Sequence, residues 1–463
     1  MENSSEFFEA YWPKMLEDMQ AWMRIPSVSG EPEGPYPFGK ACGEALDAAL
    51  ALGREMGFET ENDDYTGGSI LFPGTQAGEI GMFAHLDVVP AGEGWLQPPY
   101  SPSIRDGWLY GRGSADDKGP AVAALYAMYC LKQMGYVPRR TIRLYLGCSE
   151  EHGMRDIQAF LARHPAPDFS FTPDAAFSVC YSEKGIMEAE FAAPLPEGLA
   201  AFEAGAAVNA VAGSACAVLT RMGRPAPCPP QVSLSAEDGQ LTVKAEGRSA
   251  HAAFPEGSDN AAAKLAAYLC RSKLLSEPAC DVLAWIGEDL SDPYGEALGT
   301  AFESAQLGKL TSVAGTTRTR DGKLIQTLNI RYPAEADSQQ IAQQLRQRAQ
   351  QRGWTLTALR DDPPFYISPE HPIVCELDRI CRARIGDSVA PYSMGGGTYA
   401  RHLPNAVGYG PAIRGLKKPG PDGHGGGHQP DECISLKQLE DAFFIYVQAL
   451  QAVDALLDRP KGE

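Results

Sequence analysis

Two nearly continuous apolar segments constrain the fold of this 463-residue chain more than any other feature. They are EIGMFAHLDVV (79–89) and TIRLYLGC (141–148). Strands that are apolar on both faces are typical of a parallel sheet that is covered by helices on both sides. Helices are expected from about Gly119 to Gly135 and from Glu151 to His164. The pattern therefore predicts an α/β domain that is built on a mainly parallel sheet.

The two ends of the chain also have helical patterns. Residues 5–24 are expected to form a helix that Pro13 breaks, because proline lacks a backbone N–H donor. Near the carboxyl terminus, Ser435 and Gln438 have the spacing of a capping box before a strongly apolar helix. The last hundred residues thus resemble the first domain in their pattern of apolar residues.

The middle of the chain, from about residue 180, has a different pattern of apolar and polar residues. The segment QLTVKAEG alternates between apolar and polar residues, which is typical of a half-exposed antiparallel strand. A helix is expected after it, and a similar strand and helix follow from residue 323. We therefore predict an inserted α+β domain, which could consist of two related units. The predicted boundaries are 1–179 and 366–463 for the two parts of the first domain and 180–365 for the insertion.

Composition excludes some classes of protein. A net charge of -19 and a pI near 4.9 argue against binding to nucleic acid, which requires clustered basic side chains. No apolar run is long enough to span a bilayer, and the first residues lack a secretory pattern. The eleven cysteines, Cys130 and Cys270 among them, form no CxxC pair and are expected to be reduced. These features predict a cytoplasmic protein without nucleic-acid or membrane partners.

Acidic and imidazole side chains follow the predicted strands at the points where they end. Each has an alternative explanation as a helix cap or a solvated turn, and Glu151 in a first helical turn would be stabilised by the helix dipole. The carboxyl ends of parallel strands meet at one edge of a sheet, so a single site explains all of these side chains together. The residues concerned are His85, Asp87, Asp116, Asp117, Glu150, Glu151 and Asp174.

Five segments, in chain order, resemble the motifs of the M20 family of zinc peptidases: MFAHLDVVP, YGRGSADDKGP, GCSEEHGM, GRSAHAAFPEG and HQPDE. They span nearly the whole chain, and five ordered motifs are far more specific than any single one. Within that family, SADDKG, GGGTYAR and the long middle domain most resemble dipeptidases of the PepV type, which are similar to carnosinases. The resemblance implies a dinuclear metallohydrolase domain with an inserted lid.

The resemblance also implies a ligand set for two Zn²⁺ ions per chain. His85 would bind one metal and His428 the other, Asp116 would bridge them, and Glu151 and Asp174 would complete one site each. Imidazole and carboxylate ligands suit zinc, although Mn²⁺ and Co²⁺ accept them too. His424 competes with His428 because both lie in the glycine-rich loop 423–429, and HQPDE favours His428.

The same resemblance implies how a peptide bond would be cut by a water that the metals share. Glu150 would take a proton from this water and pass it to the leaving amine. Asp87 would orient His85 or tune Glu150. In the lid, His251 would donate to the oxyanion of the tetrahedral intermediate, and Asn209 would contribute beside it.

The remaining implied residues would bind the substrate. Arg331 could hold a substrate carboxylate through two hydrogen bonds, although a strand-end arginine also has an ordinary structural explanation. The residues Gly395, Gly396, Gly397, Thr398 and Arg401 offer further donors to the same carboxylate. The lid would close over the substrate, and its length predicts a monomer.

Several functions stay open at this point. The leading hypothesis is a dipeptidase with a broad, Xaa-His or β-Ala-dipeptide preference. The same scaffold and metals could instead serve an N-acyl-amino-acid deacylase. A non-catalytic peptide- or metal-binding homologue is a third hypothesis, but a binder has no need of a general base at Glu150. A metallophosphoesterase is disfavoured because no GNHE-type motif accompanies His85 and Asp87.

Overall fold

The computed structural model describes residues 2–220, 226–237 and 240–457. The chain divides into two compact units. The first contains the residues up to Tyr181, Ile367–Tyr392 and those from Gly397 on. The second contains Ser182–Tyr366 and the short segment Ser393–Gly396.

The helices and strands alternate in the first unit, whereas strands dominate the second. The helices are α1 (Glu2–Met23), α2 (Lys40–Glu55), α3 (Lys118–Gln133), α4 (Arg155–Arg163), α5 (Ala261–Arg271), α6 (Glu277–Ala284), α7 (Ser338–Gln351), α8 (Pro372–Ile385) and α9 (Leu436–Leu456). A π-helical turn spans Trp285–Asp289, and a 3-10 turn spans Tyr399–His402.

The strands of the first half of the chain are β1 (Glu59–Asn62), β2 (Gly67–Phe72), β3 (Glu79–His85), β4 (Ser103–Arg105), β5 (Trp108–Tyr110), β6 (Thr141–Gly147), β7 (Phe169–Thr172), β8 (Ala175–Phe177), β9 (Cys180–Glu183), β10 (Gly185–Pro194), β11 (Leu199–Ala204) and β12 (Ser214–Leu219). Those of the second half are β13 (Val232–Glu237), β14 (Gln240–Glu246), β15 (Glu303–Ser304), β16 (Gly308–Lys309), β17 (Thr311–Arg320), β18 (Lys323–Tyr332), β19 (Thr355–Asp362), β20 (Phe365–Tyr366), β21 (Tyr392–Met394), β22 (Ala406–Gly408), β23 (Pro411–Ile413) and β24 (Cys433–Ser435).

The sheet of the first unit has a parallel centre, in the order β6, β3, β7 and β22. Strands β2 and β1 extend it antiparallel beyond β6, and β9 pairs antiparallel with β22. Strands β3 and β6 are buried along nearly their whole length. The core helix α3 packs on β3 and β6, between α1 and α9. This arrangement confirms the predicted α/β class with a mainly parallel centre.

The helix α1 contradicts the expected break at Pro13, because it runs unbroken from Glu2 to Met23. The missing N–H of a proline removes one hydrogen bond from a helix. Tertiary packing compensates, since Met15 and Met19 on the same helix are fully buried in the core of the first unit. A local propensity was thus overridden by burial of an apolar face.

The second unit contains an eight-stranded sheet in the order β13, β14, β12, β11, β17, β18, β10 and β19. All of its pairings are antiparallel. Burial alternates along β10 and β14, as expected for strands with one covered face. Helix α5 packs on β12 and β14, and α7 packs on β19. The predicted α+β character of the inserted region is confirmed.

One pair of cysteines contradicts the expectation of reduced thiols. Cys270 at the end of α5 is disulfide-bonded to Cys280 in α6, with their Cα atoms 5.5 Å apart. That distance lies in the usual range for disulfides. Only the turn between the two helices brings these residues together, so no spacing rule could reveal the pair. The other cysteines of the described residues, Cys130 included, are free thiols.

Among the described residues, none of the helices combines the length and the apolar character that a membrane crossing would require.

Candidate metal centre

The parallel register of the central strands brings the predicted residues to one edge of the sheet. His85 is the last residue of β3 and lies opposite Gly147, the last residue of β6. Glu150 and Glu151 follow β6 directly, and Asp174 follows β7, which runs parallel to β3 on its other side. The sheet therefore delivers these side chains from three adjacent strands.

The loop before α3 delivers Asp116 to the same edge. The next residue, Asp117, is fully buried and accepts the backbone N–H of His85 at 3.3 Å. This hydrogen bond holds the loop against the end of β3. Asp117 thus contacts the backbone of a clustered residue, whereas Asp116 points its side chain into the cluster.

Two groups of side chains lie close enough to hold a cation each. In the first, His85 Nε2 lies 3.0 Å from Asp116 Oδ1 and 3.8 Å from Asp174 Oδ2. In the second, His428 Nε2 lies 3.1 Å from Asp116 Oδ2 and 2.9 Å from Glu151 Oε1. In each group the ligand atoms all lie within 4.8 Å of one another. Asp116 belongs to both groups and directs a different oxygen towards each.

The two histidines of the glycine-rich loop have different surroundings. His428 lies in the second group, whereas His424 Nδ1 pairs with Asp431 Oδ2 at 2.7 Å. Among the described residues, His424 belongs to neither group.

Asp87 contacts both the imidazole of His85 and the backbone of the two glutamates that follow β6. Its backbone carbonyl accepts from His85 Nδ1 at 2.9 Å, which leaves Nε2 of that ring directed at the carboxylates. Its side-chain oxygens accept the backbone N–H groups of Glu150 and Glu151, each at 3.1 Å. The carboxylate of Asp87 lies farther from the imidazole, at 3.5 Å. Asp87 therefore orients the ring through its backbone and the two glutamates through its side chain.

The cluster concentrates negative charge in a buried place. Burial raises the pKa of the Glu150 and Asp174 carboxyls well above their usual range, and the charge of Asp174 raises that of Glu150 further. Although burial alone would raise it, hydrogen bonds from His428 and His85 lower the pKa of Asp116. The same contact with Asp116, together with Glu151, raises the pKa of His428 to about 11. Cations bound among these carboxylates would offset their mutual repulsion.

Two further residues near the cluster were not singled out from the sequence. Asp156 is fully buried, and its Oδ2 accepts the backbone N–H of Ser149 at 2.7 Å, one residue before Glu150. The same oxygen accepts the hydroxyl of Tyr399 at 2.5 Å. The only sequence feature that could have indicated this pair is the tyrosine directly after GGGT, and nothing in the sequence linked it to Asp156.

The second unit brings together some of the predicted substrate-binding residues. Ala252 donates its backbone N–H to the carbonyl of Asn209 at 2.8 Å, which places Asn209 beside the exposed His251. The backbone N–H of Ala253 donates to Nδ1 of His251 at 3.2 Å. This contact favours the tautomer in which Nε2 of His251 carries the proton.

Arg331, another predicted substrate-binding residue of the second unit, lies in β18. Its side chain is only 6% exposed, and its Nε donates to Asn329 Oδ1 at 2.8 Å. Its Nη1 donates to the carbonyl of Gly395 at 3.1 Å. The guanidinium is therefore fixed in direction against the glycine-rich segment, as part of the packing of the second unit.

The other glycine-rich residues have different surroundings. A side chain at Gly396 would meet only Met394, at 4.0 Å, whereas one at Gly397 would overlap the guanidinium of Arg401 at 2.6 Å. The hydroxyl of Thr398 is buried and accepts the backbone N–H of Ala400 at 3.2 Å. Thr398 therefore caps the following 3-10 turn.

The fold and the clustered side chains agree with the comparison to known families. A model described as peptidase family M20/M25/M40 matches residues 81–452, a range that contains both ligand groups. The chain belongs to this family and is a peptidase of the M20 type.

Individual relatives extend the comparison. The Bacillus subtilis protein named "Putative dipeptidase YtjP" is 32% identical over 458 residues, which cover 94% of this chain and 96% of that protein. Human carnosine dipeptidase 1 has the same fold, with a TM-score of 0.59, 14% identity and 98% of both chains covered. The di-peptidase Dug1p from Saccharomyces cerevisiae is similar, with a TM-score of 0.58, 12% identity and 98% of both chains covered. At such low identities the two structures show the fold alone.

Proposed function

We propose that this peptidase is a dipeptidase that uses two divalent cations to hydrolyse the peptide bond of small dipeptides. The observation that carries the proposal is the position of Asp116, whose two carboxylate oxygens face different groups of ligands. A carboxylate that is shared in this way is the usual bridge of a two-metal hydrolase. The name of the Bacillus subtilis relative supports a dipeptide as the substrate.

The chemistry of the donor set fits zinc. Two imidazole nitrogens and several carboxylate oxygens converge, and no thiol lies among them in the described part of the chain. We propose that His85, Asp116 and Asp174 hold one ion and that Asp116, Glu151 and His428 hold the other. When bound, such ions polarise a carbonyl and make water a stronger nucleophile near neutral pH. Manganese and cobalt accept the same donors, so zinc is the proposed identity.

Glu150 is proposed as the general base and acid. Its side chain is 8% exposed, and its backbone N–H is held by Asp87 at 3.1 Å. Burial raises the pKa of its carboxyl, which makes the carboxylate a stronger base. In this role Glu150 would accept the proton of the attacking water and deliver it to the leaving amine.

The substrate-binding roles rest on likeness to the family and on local geometry. The protonated Nε2 of His251 suits a donor to an oxyanion, and Asn209 lies beside it. Arg331, whose guanidinium is fixed by Asn329, suits the carboxylate of a dipeptide. Gly396 and Gly397 would contribute backbone donors to that carboxylate. The hydroxyl of Thr398, which accepts the backbone N–H of Ala400, would add a donor of its own to that carboxylate.

A substrate panel tests the proposal. Metal-stripped enzyme is reloaded with zinc or manganese and assayed on β-Ala-His, Ala-Ala, Leu-Gly-Gly and N-acetyl-methionine. Cleavage of dipeptides alone is the expected result, and the ratio of β-Ala-His to Ala-Ala distinguishes a narrow from a broad preference. Cleavage of N-acetyl-methionine would instead identify a deacylase. Absence of all activity with both ions bound would identify a non-catalytic binder.

We also propose that the enzyme is a cytoplasmic monomer. The buried free thiols of Cys42, Cys130 and Cys148 suit a reducing compartment, in which the bond between Cys270 and Cys280 would be reduced. The second unit has a sheet and a core of its own, which supports a chain that needs no partner subunit to complete it. Light scattering of the purified protein tests this state, and a stable dimer would overturn it.

A further inference from the structure

The carboxylate of Glu432 is fully buried four residues after His428. Its Oε1 accepts the backbone N–H groups of Ala115 at 2.9 Å and of Asp116 at 3.1 Å. Its Oε2 accepts from the guanidinium of Arg112 at 2.6 Å. One buried side chain therefore holds the loop that carries Asp116 through three donors.

The short strand β24 sets the position of Glu432. It pairs antiparallel with β5, so that Cys433 lies opposite Tyr110. The backbone N–H of Gly111 donates to the carbonyl of Glu432 at 2.9 Å and continues this ladder by one step. The pairing brings the side chain of Glu432 to the turn 111–116, where its three donors lie.

The preceding residue, Asp431, attaches the loop that carries His428 at a second place. Its Oδ1 accepts the backbone N–H groups of Leu96 at 3.0 Å and of Gln97 at 3.2 Å. By contrast, His428 in the middle of the loop has a side chain that is 57% exposed and a φ of 63°. More than half of this imidazole is exposed, so its position depends on its contacts with Asp116 and Glu151 and on the attachments of its loop at 431 and 432.

We propose that Glu432 is a positioning residue that holds the shared carboxylate of Asp116 and the imidazole of His428 at the separation the second ligand group requires. The inference rests on the proposed function, because it presumes that these residues bind a cation. Loss of a residue that orients metal ligands typically lowers metal affinity by about 10–100-fold. The charge of Glu432 also matters, since it balances the buried guanidinium of Arg112.

The test compares metal binding by Glu432→Gln and the natural enzyme, both stripped of metal and titrated with zinc against a chromogenic chelator. We expect at least one of the two zinc affinities to fall by about 10–100-fold in the variant. Amide hydrogen exchange of the metal-free proteins gives a second measurement, in which the peptide containing residues 112–118 should exchange faster. Neither measurement depends on activity.

The matched control is Asp454→Asn. Asp454 is likewise buried, at 1% exposure, and also accepts two consecutive backbone N–H groups, those of Arg139 at 2.9 Å and of Arg140 at 3.0 Å. Arg139 and Arg140 directly precede β6, at the end of the strand away from Glu150. This variant should lose stability while both zinc affinities stay unchanged.

The outcomes separate the inference from the proposed function. Natural enzyme that binds two ions, together with Glu432→Gln of unchanged affinity, would overturn the positioning role alone. Natural enzyme that binds neither zinc nor manganese nor cobalt would overturn the proposed function. If Glu432→Gln does not fold, Arg112→Lys replaces it, because it disturbs the same carboxylate while keeping the positive charge. A folded Arg112→Lys enzyme with unchanged zinc affinity and unchanged exchange at 112–118 would likewise overturn the inference.

Discussion

The phenolic hydroxyl of Tyr399 donates to Oδ2 of Asp156 at 2.5 Å, and both side chains are fully buried. Because the same oxygen accepts the backbone N–H of Ser149, the contact connects the glycine-rich segment with the end of β6. Burial raises the pKa of Asp156 to about 6, and the charge of Asp87 adds to this effect. The hydrogen bond from Tyr399 acts in the opposite direction, since it stabilises the charged carboxylate.

Tyr399→Phe should therefore make stability depend more strongly on pH. Without the hydroxyl, the pKa of Asp156 in the folded protein should rise above about 6, while its unfolded value stays near 3.8. An acid whose pKa is raised by folding contributes stability below its unfolded pKa and loses it as the pH rises through the folded value. The deficit of the variant should be smallest near about pH 4 and grow towards about pH 8.

Urea unfolding of the metal-free proteins across this pH range measures the effect. Tyr446→Phe is the control, because its buried hydroxyl donates at 3.1 Å to the backbone carbonyl of Tyr409, which does not titrate. That variant should show a deficit that is the same at every pH. A deficit of Tyr399→Phe that is equally independent of pH would contradict the prediction.

Glu150→Gln should keep both cations and lose most turnover. The amide preserves the shape of the side chain but cannot accept a proton, so kcat should fall by about 10²–10⁴-fold. Metal content and kcat on Ala-Ala are measured in the same preparation. Glu44→Gln, a change on the exposed face of α2, should leave both unchanged. Unchanged kcat in Glu150→Gln would remove this residue from the mechanism.

His428→Ala should lose one of about two bound ions, because its imidazole contacts both Asp116 and Glu151. His424→Ala should retain both, since that ring pairs with Asp431 outside the two ligand groups. Elemental analysis after dialysis against a weak chelator measures the number of ions per chain. The opposite pattern of loss would exchange the roles of the two histidines.

The disulfide between Cys270 and Cys280 should stabilise the turn between α5 and α6. The double variant Cys270→Ser, Cys280→Ser should lower the free energy of unfolding of oxidised protein by about 2–4 kcal/mol. In the presence of a reductant, the natural and variant proteins should unfold alike. A Cys375→Ser variant is the control, because Cys375 is a free, exposed thiol. Equal stability of oxidised natural and double-variant protein would contradict the prediction.

Much of the fold could be predicted because it depends on patterns that are local in sequence. The continuous apolar runs at β3 and β6 indicate strands buried on both faces, and the alternation in β14 indicates a half-exposed one. The capping box of Ser435 and Gln438 is present at the start of α9. The unbroken helix through Pro13 was not predictable, because the burial that compensates for the proline comes from distant parts of the chain.

The sequence by itself determined the residue types of the candidate site and their places at strand ends. The order of the motifs was enough to indicate the family, and a parallel sheet gathers its carboxyl ends at one edge whatever the details of packing. The resemblance already implied a shared Asp116 and favoured His428 over His424, whereas only the tertiary structure brings Glu432 and Asp156 into contact with the segments around the cluster. The contacts of Glu432 with Asp116 and of Tyr399 with Asp156 join residues hundreds of positions apart, and only the packed fold fixes the distances between their atoms.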